Sequence, residues 1–145
     1  MQFKIREVYP FRGSLKATSV LNKLVVMHSA CFPYDDPVVP QEGRWWLAET
    51  PDGGFAGFAG MVQEPDGSWM LYRAGVLPDF RGHGLQRALI RARLGAAKRA
   101  GGTVAVTSTY HNNISANNLI REGFELYTPG TPWGARGTLY WRKKL

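Results

Sequence analysis

The stretch Gly75–Leu89, GVLPDFRGHGLQRAL, decides how this chain folds and what it binds. It follows an apolar run, crosses a turn at Pro78 and enters a helical pattern through Arg81–Gly84. Glycine has no Cβ, so backbone N–H groups beside it can approach a ligand closely. The helix that follows adds unpaired N–H groups and a partial positive charge at its first turn. The stretch therefore predicts an anion-binding turn suited to a phosphate or a diphosphate.

Two common phosphate-binding motifs do not fit this turn. A dinucleotide-binding fold needs a third glycine in the pattern G-x-G-x-x-G, and Arg87 occupies that position here. A P-loop needs Gly-Lys followed by Ser or Thr, a sequence that the chain does not contain. The motif is therefore neither that of a Rossmann fold nor that of an ATP-hydrolysing P-loop.

Three apolar runs precede the turn and are separated by turn-forming residues. The separators PDGG and EPDGS contain Asp-Gly pairs that favour tight hairpins, so the runs predict an antiparallel meander. Alternating apolar residues at the start of the chain predict a short strand, and helical spacing after it predicts an amphipathic helix. In chain order these elements are a strand over Phe3–Val8, a helix over Ser14–Met27, and strands over Trp45–Glu49, Phe55–Gln63 and Trp69–Val76.

The hydrophobic period changes to that of a helix after the turn. Leu85, Leu89, Ala92 and Ala96 share one helical stripe, and Gly101-Gly102 ends the helix. The β-branched run after these glycines predicts a buried strand. The remaining predicted elements are a strand over Thr103–Tyr110, a helix over Ser115–Glu122, and strands over Phe124–Tyr127 and Thr138–Leu145. The order predicts an α/β (α+β mixed) fold, and without repeats or linkers we treat residues 1–145 as a single domain.

Composition narrows the class of protein. Hydrophobic residues make up 44% of the 145 residues and charged residues 20%, which excludes a disordered chain. No apolar run reaches the ~18 residues that a membrane span needs, and the start MQFKIREVYP lacks a signal-peptide pattern. The single cysteine, Cys31, excludes an internal disulfide and a cysteine-cluster metal site, and we interpret it as an apolar packing residue. We therefore expect a cytoplasmic, metal-free protein with no membrane partner.

The formal net charge of +7 is unevenly distributed along the chain. Residues 80–121 contain seven arginines and lysines and no acidic residue. In residues 35–66 the charged residues are all acidic except Arg44. The separation predicts either two ligands of opposite sign or two solvated faces.

Two segments together resemble the GNAT N-acetyltransferase superfamily. The acyl-CoA motif of that family, Arg/Gln-x-x-Gly-x-Gly/Ala, is similar to Arg81, Gly84 and Gln86, where glutamine replaces the usual small residue. Asn112–Phe124, with the pattern Asn-x-x-Ser-x-x-Asn-Leu-x-x-x-Gly-Phe, is similar to the family's Asn-x-x-Ala…Gly-Phe segment. The two segments stand in the family's order and separation, between residues 75 and 124.

The resemblance implies a GNAT-like domain with a mixed, mostly antiparallel sheet of about seven strands, flanked by helices. It further implies that the sheet splays between its fourth and fifth strands and that acetyl-CoA lies in the opening. The activity it implies is the transfer of an acetyl group from acetyl-CoA to a primary amine by direct attack, without a metal. The acceptor would be a small molecule or a peptide or protein amine.

The resemblance also implies which residues bind acetyl-CoA. Backbone amides at the turn would hold the diphosphate, the Val76 backbone would donate to the thioester oxygen, and two asparagines would contact the coenzyme arm. The implied set is Val76, Arg81, Gly82, His83, Gly84, Leu85, Gln86, Arg87, Asn112 and Asn118.

Two catalytic features of many relatives are missing. The position of the tyrosine that protonates the leaving thiolate is Leu119, and the fourth strand, WMLYRAGV, contains no glutamate base. Deprotonation of the amine is left to water, Tyr72, a carboxylate of residues 35–42, Tyr110 or His111. We name Tyr110 and His111 as base candidates, although the sequence favours a solvent-exposed or helix-adjacent histidine over a base at His111.

The proline-containing loop CFPYDDPVVPQEG falls where the family's acceptor-side loop lies. Its acidic residues motivate the hypothesis of a cationic amine acceptor bound by Asp35, Asp36, Glu42 and Tyr72. Trp45 and Trp46 alternate across a strand, which predicts one in the core and the other lining the acceptor pocket.

The alternative is a non-catalytic, basic, nucleic-acid- or ribosome-associated GNAT-like binding module. The missing tyrosine and glutamate keep this alternative open, but the aromatic residues are not interleaved with Lys and Arg as in RNA-binding signatures, which disfavours nucleic acid. A third possibility combines the two: an acetyltransferase whose amine acceptor is carried by an RNA. The resemblance also allows a homodimer that pairs through sheet edges.

Overall fold

The structure is a computed structural model that describes residues 2–10, 15–35 and 43–145. Within these ranges the elements alternate as the hydrophobic periods predict. They are β1 (Lys4–Val8), α1 (Leu15–Cys31), β2 (Arg44–Glu49), β3 (Phe55–Gln63), β4 (Trp69–Val76), a 3₁₀ turn (Pro78–Phe80), α2 (Leu85–Arg99), β5 (Val104–Thr109), α3 (Asn113–Arg121), β6 (Glu125–Leu126) and β7 (Leu139–Lys144).

All of these strands belong to one open, seven-stranded sheet with the order β1-β2-β3-β4-β5-β7-β6. Neighbouring strands are antiparallel except β4 and β5, which run parallel. Their pairing is limited to Trp69 with Ala105 and Met70 with Val106. Beyond Met70 the two strands diverge, so the sheet opens where β4 runs on toward Val76. This confirms the predicted mixed sheet and its splay between the fourth and fifth strands.

The pairing of β3 with β4 contains an irregularity close to this opening. Ala59 faces Ala74 and Gly60 faces Tyr72, so one residue of β4, Arg73, has no partner on β3. An extra residue of this kind is a β-bulge, which bends the strand and increases its twist. We call this feature the β4 bulge.

Helices cover both faces of the sheet and define two main core clusters. Trp46, Leu71, Leu89 and Ile90 are buried in the cluster that includes α2, whereas Trp45, Leu24 and Phe58 are buried in the cluster that includes α1. The prediction that one of the two tryptophans lines an acceptor pocket is wrong, because Trp45 and Trp46 are 1% and 4% exposed. Both faces of β2 are covered, so strand alternation does not bring either ring to solvent.

Several element boundaries differ from the sequence-based expectation, and the largest difference is at the end of α1. Helix α1 continues to Cys31, four residues past the predicted end at Met27, because the first proline that opposes a helix is Pro33. Strand β6 is shorter than predicted, and Phe124 lies just before it with its ring buried. No helix in the described ranges is long and apolar enough to cross a membrane.

Candidate active site

The predicted anion-binding turn sits between the 3₁₀ turn and α2, where β4 has left the sheet. Gly82 and Gly84 have φ angles of 81° and 74°, in the left-handed region that favours glycine. Gly84 is the N-cap of α2, and no side chain caps this end of the helix. A Cβ built at either glycine meets no atom within 4 Å, so the space beside the backbone is open.

The backbone donors of this turn are unpaired. None of the N–H groups of residues 82–87 donates to an acceptor within the ranges that the structure describes. The first hydrogen bond of α2 runs from the Ala88 N–H to the Gly84 carbonyl at 3.1 Å. The positive end of a 15-residue helix therefore faces open space together with its unpaired amides.

Side chains at the turn anchor it to the rest of the fold. Leu85 is buried with Ala48 and Ala56, and the exposed His83 ring lies 5.3 Å from the ring of Phe3. The His83 imidazole is thus engaged with the N-terminal segment, and its backbone N–H belongs to the unpaired set.

The backbone of Val76 faces the opening between β4 and β5. The Leu77 N–H donates to the Ala56 carbonyl at 2.8 Å, and the pairing of Val76 with Gly57 places it in the alternating ladder of β3 and β4. Since adjacent residues of a strand point their N–H groups to opposite sides, the Val76 N–H points away from β3. Its carbonyl accepts from Arg81 Nε at 3.3 Å, which links the end of β4 to the turn.

Polar side chains join the start of α2 to the start of α3. Gln86 Nε2 donates to Ser115 Oγ at 2.8 Å, and Asn118 Nδ2 donates to Gln86 Oε1 at 2.7 Å. Asn112 is the N-cap of α3, where its Oδ1 accepts from the Ser115 N–H at 3.0 Å. The amide groups of Gln86 and Asn118 are therefore occupied with each other. The sequence signal for this link is the glutamine that replaces the small residue of the family motif.

Arg87 points toward α3 rather than toward the turn. Its Nε lies 2.8 Å from Glu122 Oε1, and Arg91 Nη2 lies 2.9 Å from the same oxygen. Burial alone would raise the pKa of Glu122, but hydrogen bonds from Arg91 and Arg87 outweigh burial and lower it. The Arg87 side chain, a member of the implied acetyl-CoA set, is therefore directed toward Glu122 in this structure, whereas its backbone N–H remains in the turn.

A cleft of about 690 Å³ lies between the diverging ends of β4 and β5. Several of the predicted site residues line it together with residues of α2, α3 and the segment before β7. The lining includes Asp35, Tyr72, Gln86, Tyr110, Asn112, Arg93, Thr107, Ser108 and Trp133. His111 is not part of the lining, although its ring centroid is 4.2 Å from that of Tyr110.

The acceptor side of the cleft carries an ion pair that the sequence did not reveal. Asp35 Oδ2 lies 2.7 Å from Arg73 Nη1, and the Arg73 guanidinium lies over the rings of Phe32 at 5.4 Å and Tyr72 at 5.8 Å. The carboxylate predicted to await a cationic acceptor thus already has a cationic partner from the β4 bulge. Asp36 and Glu42 lie outside the described residues.

Two further titratable groups of α1 face the same region. His28 is 1% exposed, and neither of its ring nitrogens has a hydrogen-bond partner. Burial, with a smaller contribution from the Arg73 charge, lowers the pKa of His28, so the imidazole is neutral at physiological pH. Cys31 Sγ lies 3.9 Å from the Val76 carbonyl oxygen, and burial raises the pKa of the thiol. Both side chains are therefore packing residues, as the sequence predicts for Cys31. The burial of His28 has no signal in the sequence pattern.

Comparisons with known proteins agree with this geometry. The sequence profile of the acetyltransferase (GNAT) family matches residues 21–124, and the chain belongs to that family. A comparison with curated protein sequences found no significant match. The fold is similar to that of an IAA acetyltransferase from Bacillus cereus, with a TM-score of 0.74, 14% identity and coverage of 99% of this chain and 100% of the other.

Two other solved structures show the same fold. The ribosomal-protein-S18-alanine N-acetyltransferase from Escherichia coli has a TM-score of 0.72 and 16% identity, with 99% of this chain and 94% of the other covered. An acetyltransferase from Bacillus subtilis, solved in complex with CoA, has a TM-score of 0.72 and 15% identity, with 99% of each chain covered. The protein is therefore an acyltransferase of the GNAT family, a family that takes its acetyl group from acetyl-CoA.

Proposed function

We propose that this enzyme transfers the acetyl group of acetyl-CoA to a primary amine by direct attack within the β4–β5 cleft. The observation that carries the proposal is the set of unpaired amides at residues 82–87, which stands at the end of the strand that borders the cleft. A diphosphate there would accept several backbone hydrogen bonds at the positive end of α2. The pantetheine arm would then run along β4.

The proposed chemistry uses backbone more than side chains. The amine nitrogen attacks the thioester carbon, a C–N bond forms, and the C–S bond breaks with its electron pair on the coenzyme sulfur. The Val76 N–H would stabilise the negative charge that develops on the thioester oxygen. A thiol with a pKa of about 8.5 leaves without an acid, which suits the absence of a tyrosine at Leu119. Asn112 and Asn118 would flank the coenzyme arm.

The amine must lose a proton, and Tyr110 and His111 stay the proposed acceptors of that proton. Tyr110 is the better placed of the two, because it lines the cleft. Tyr110→Phe should lower kcat, whereas His111→Gln should leave kcat within about twofold. An unchanged kcat in Tyr110→Phe would remove the tyrosine from this role.

We propose a cationic amine as the acceptor, small or at a peptide end, recognised by Tyr72 and the acidic residues before β2. Reversing the charge of Asp35, Asp36 and Glu42 together should raise the KM for the acceptor at least about tenfold. Glu125→Lys is the matched control, since Glu125 is an exposed carboxylate outside the cleft lining. An acceptor KM that does not move would contradict the recognition of a cation.

The direct test of the function is calorimetry with acetyl-CoA, followed by thiol release over a panel of amines. We expect saturable binding of acetyl-CoA and thiol release that depends on one class of amine. A protein that shows no affinity for the coenzyme is not this enzyme. In that case the alternative, a basic nucleic-acid- or ribosome-associated binding module, takes its place.

A further inference from the structure

A fully buried arginine of α2 reaches the sheet close to the cleft. Arg93 is 3% exposed, and its Nε donates to the carbonyl of Leu89 at 3.1 Å. Its Nη1 donates to the carbonyl of Gly60 at 3.1 Å and to that of Tyr72 at 3.3 Å. No carboxylate in the described ranges pairs with this guanidinium. Burial lowers the pKa of Arg93 to about 9, so the group remains a cation at neutral pH.

The two sheet carbonyls that Arg93 binds belong to the β4 bulge. Gly60 and Tyr72 face each other across β3 and β4 at the step where the register shifts, and Arg73 is the extra residue. A bulge disrupts the ladder locally, and buried carbonyls need a donor. The guanidinium of Arg93 supplies that donor to both strands at once. It therefore holds the two edges of the bulge in one arrangement.

The bulge stands where the cleft begins. The hydroxyl of Thr107 donates to the Leu71 carbonyl at 3.0 Å, which is a contact between β5 and β4 just past their last paired residues. One residue further along β4 is Tyr72, which is held by Arg93. Arg93 itself lines the cleft. The direction that β4 takes after the bulge fixes where Val76 lies.

We propose that Arg93 is a positioning residue that sets the path of β4 beyond the bulge and so aims the Val76 N–H at the thioester. The last part of this inference rests on the proposed function. An apolar residue of similar length would fill the same volume but leave the Gly60 and Tyr72 carbonyls without a donor. Removing the guanidinium should therefore disturb the reaction geometry more than coenzyme binding, because the turn at residues 82–87 is held separately by Leu85.

The test compares Arg93→Ala and Arg93→Lys with Arg99→Ala, an exposed arginine of the same helix. Arg93→Ala should lower kcat at least about tenfold while the Kd for acetyl-CoA changes less than about threefold. Arg93→Lys, which retains a cationic donor, should recover part of kcat. Guanidinium chloride at non-denaturing concentration should rescue Arg93→Ala more than sodium chloride at equal ionic strength. Arg99→Ala should behave as the unmodified enzyme.

Three results would overturn the proposal. The first is a kcat for Arg93→Ala that equals that of Arg99→Ala, and the second is a loss of coenzyme affinity that accounts for the whole fall in turnover. The third is amide hydrogen exchange over residues 72–76 that is the same in the unmodified protein and in Arg93→Met, which fills the same volume without a donor. The exchange measurement needs no substrate, so it judges the role of Arg93 even if the enzyme accepts no amine. It also serves if Arg93→Ala does not fold.

Discussion

The left-handed backbone at Gly84 is the feature on which the predicted anion-binding turn depends. It ends the turn without a side-chain cap and leaves the first amides of α2 unpaired. Gly53, in the hairpin between β2 and β3, has a similar φ of 86° and equally open surroundings. The two glycines therefore differ in location rather than in local geometry.

Alanine at these two positions separates backbone strain from ligand binding. Gly84→Ala and Gly53→Ala should each lower the free energy of unfolding by about 1 kcal/mol, because a Cβ is disfavoured at positive φ. Only Gly84→Ala should weaken acetyl-CoA binding, which calorimetry measures. Equal coenzyme affinities in the two variants would show that the turn does not hold the diphosphate.

Side-chain partners were the least predictable part of the site. The pairing of Arg87 with Glu122 joins residues 35 positions apart, and no local pattern announces it. Arg93 is different, since it stands four residues after Leu89 on the apolar stripe of α2, and a charge on a core-facing stripe signals a buried polar role. Hydrophobic spacing alone predicts the stripe, and the position of Arg93 on it is the signal that indicates the burial of this arginine.

At the scale of elements, α2 and α3 are joined by a charged cluster and by the Gln86–Asn118 link. The Glu122 side chain is only 9% exposed, and Arg87 and Arg91 both contact it. Its pKa is lowered despite burial, so its carboxylate form favours the folded state. The stability that Glu122 provides is present above the pKa of an unfolded glutamate and is lost as the pH falls through the lowered folded value.

Glu122→Gln should reduce the free energy of unfolding by about 1 kcal/mol at pH 7. The difference from the unmodified protein should shrink as the pH falls from about 4.3 through the lowered folded pKa of Glu122, because the carboxylate is protonated first in the unfolded state and then in the folded state. Urea denaturation at several pH values measures this difference in the free energy of unfolding. Glu125→Gln, at an exposed residue of β6, should show no such pH-dependent difference. A difference for Glu122→Gln that is constant down to pH 3 would contradict the role of the ionised Glu122 carboxylate in stabilising the fold.

The order and type of the elements followed from the sequence because they depend on local signals. The Asp-Gly turns fixed the hairpins, and Gly101 ended α2 near the predicted place. The split of the sheet was implied by family resemblance alone, since no periodicity shows that β4 and β5 pair at two positions only. The burial of both Trp45 and Trp46 depends on helices packing on the two faces, which alternation along one strand does not reveal.

At the scale of the whole molecule, the net charge of +7 makes RNA binding the alternative to test. The salt dependence of binding distinguishes the enzyme from the alternative binding module. Raising salt from about 0.05 M to 0.5 M should weaken acetyl-CoA binding only several-fold, because the coenzyme is small and held by backbone donors. Binding to RNA should be weak and should fall steeply over the same range. Filter binding and calorimetry in parallel salt series measure both. RNA affinity that persists at about 0.2 M salt would favour the binding module.

The narrow pairing between β4 and β5 has a mechanical consequence. Two residue pairs and one threonine hydroxyl join a four-stranded half of the sheet to a three-stranded half. In the proposed binding mode, a coenzyme in the gap would add hydrogen bonds where the backbone ladder has none. The two halves of the sheet should therefore be held together more firmly with the coenzyme bound than without it.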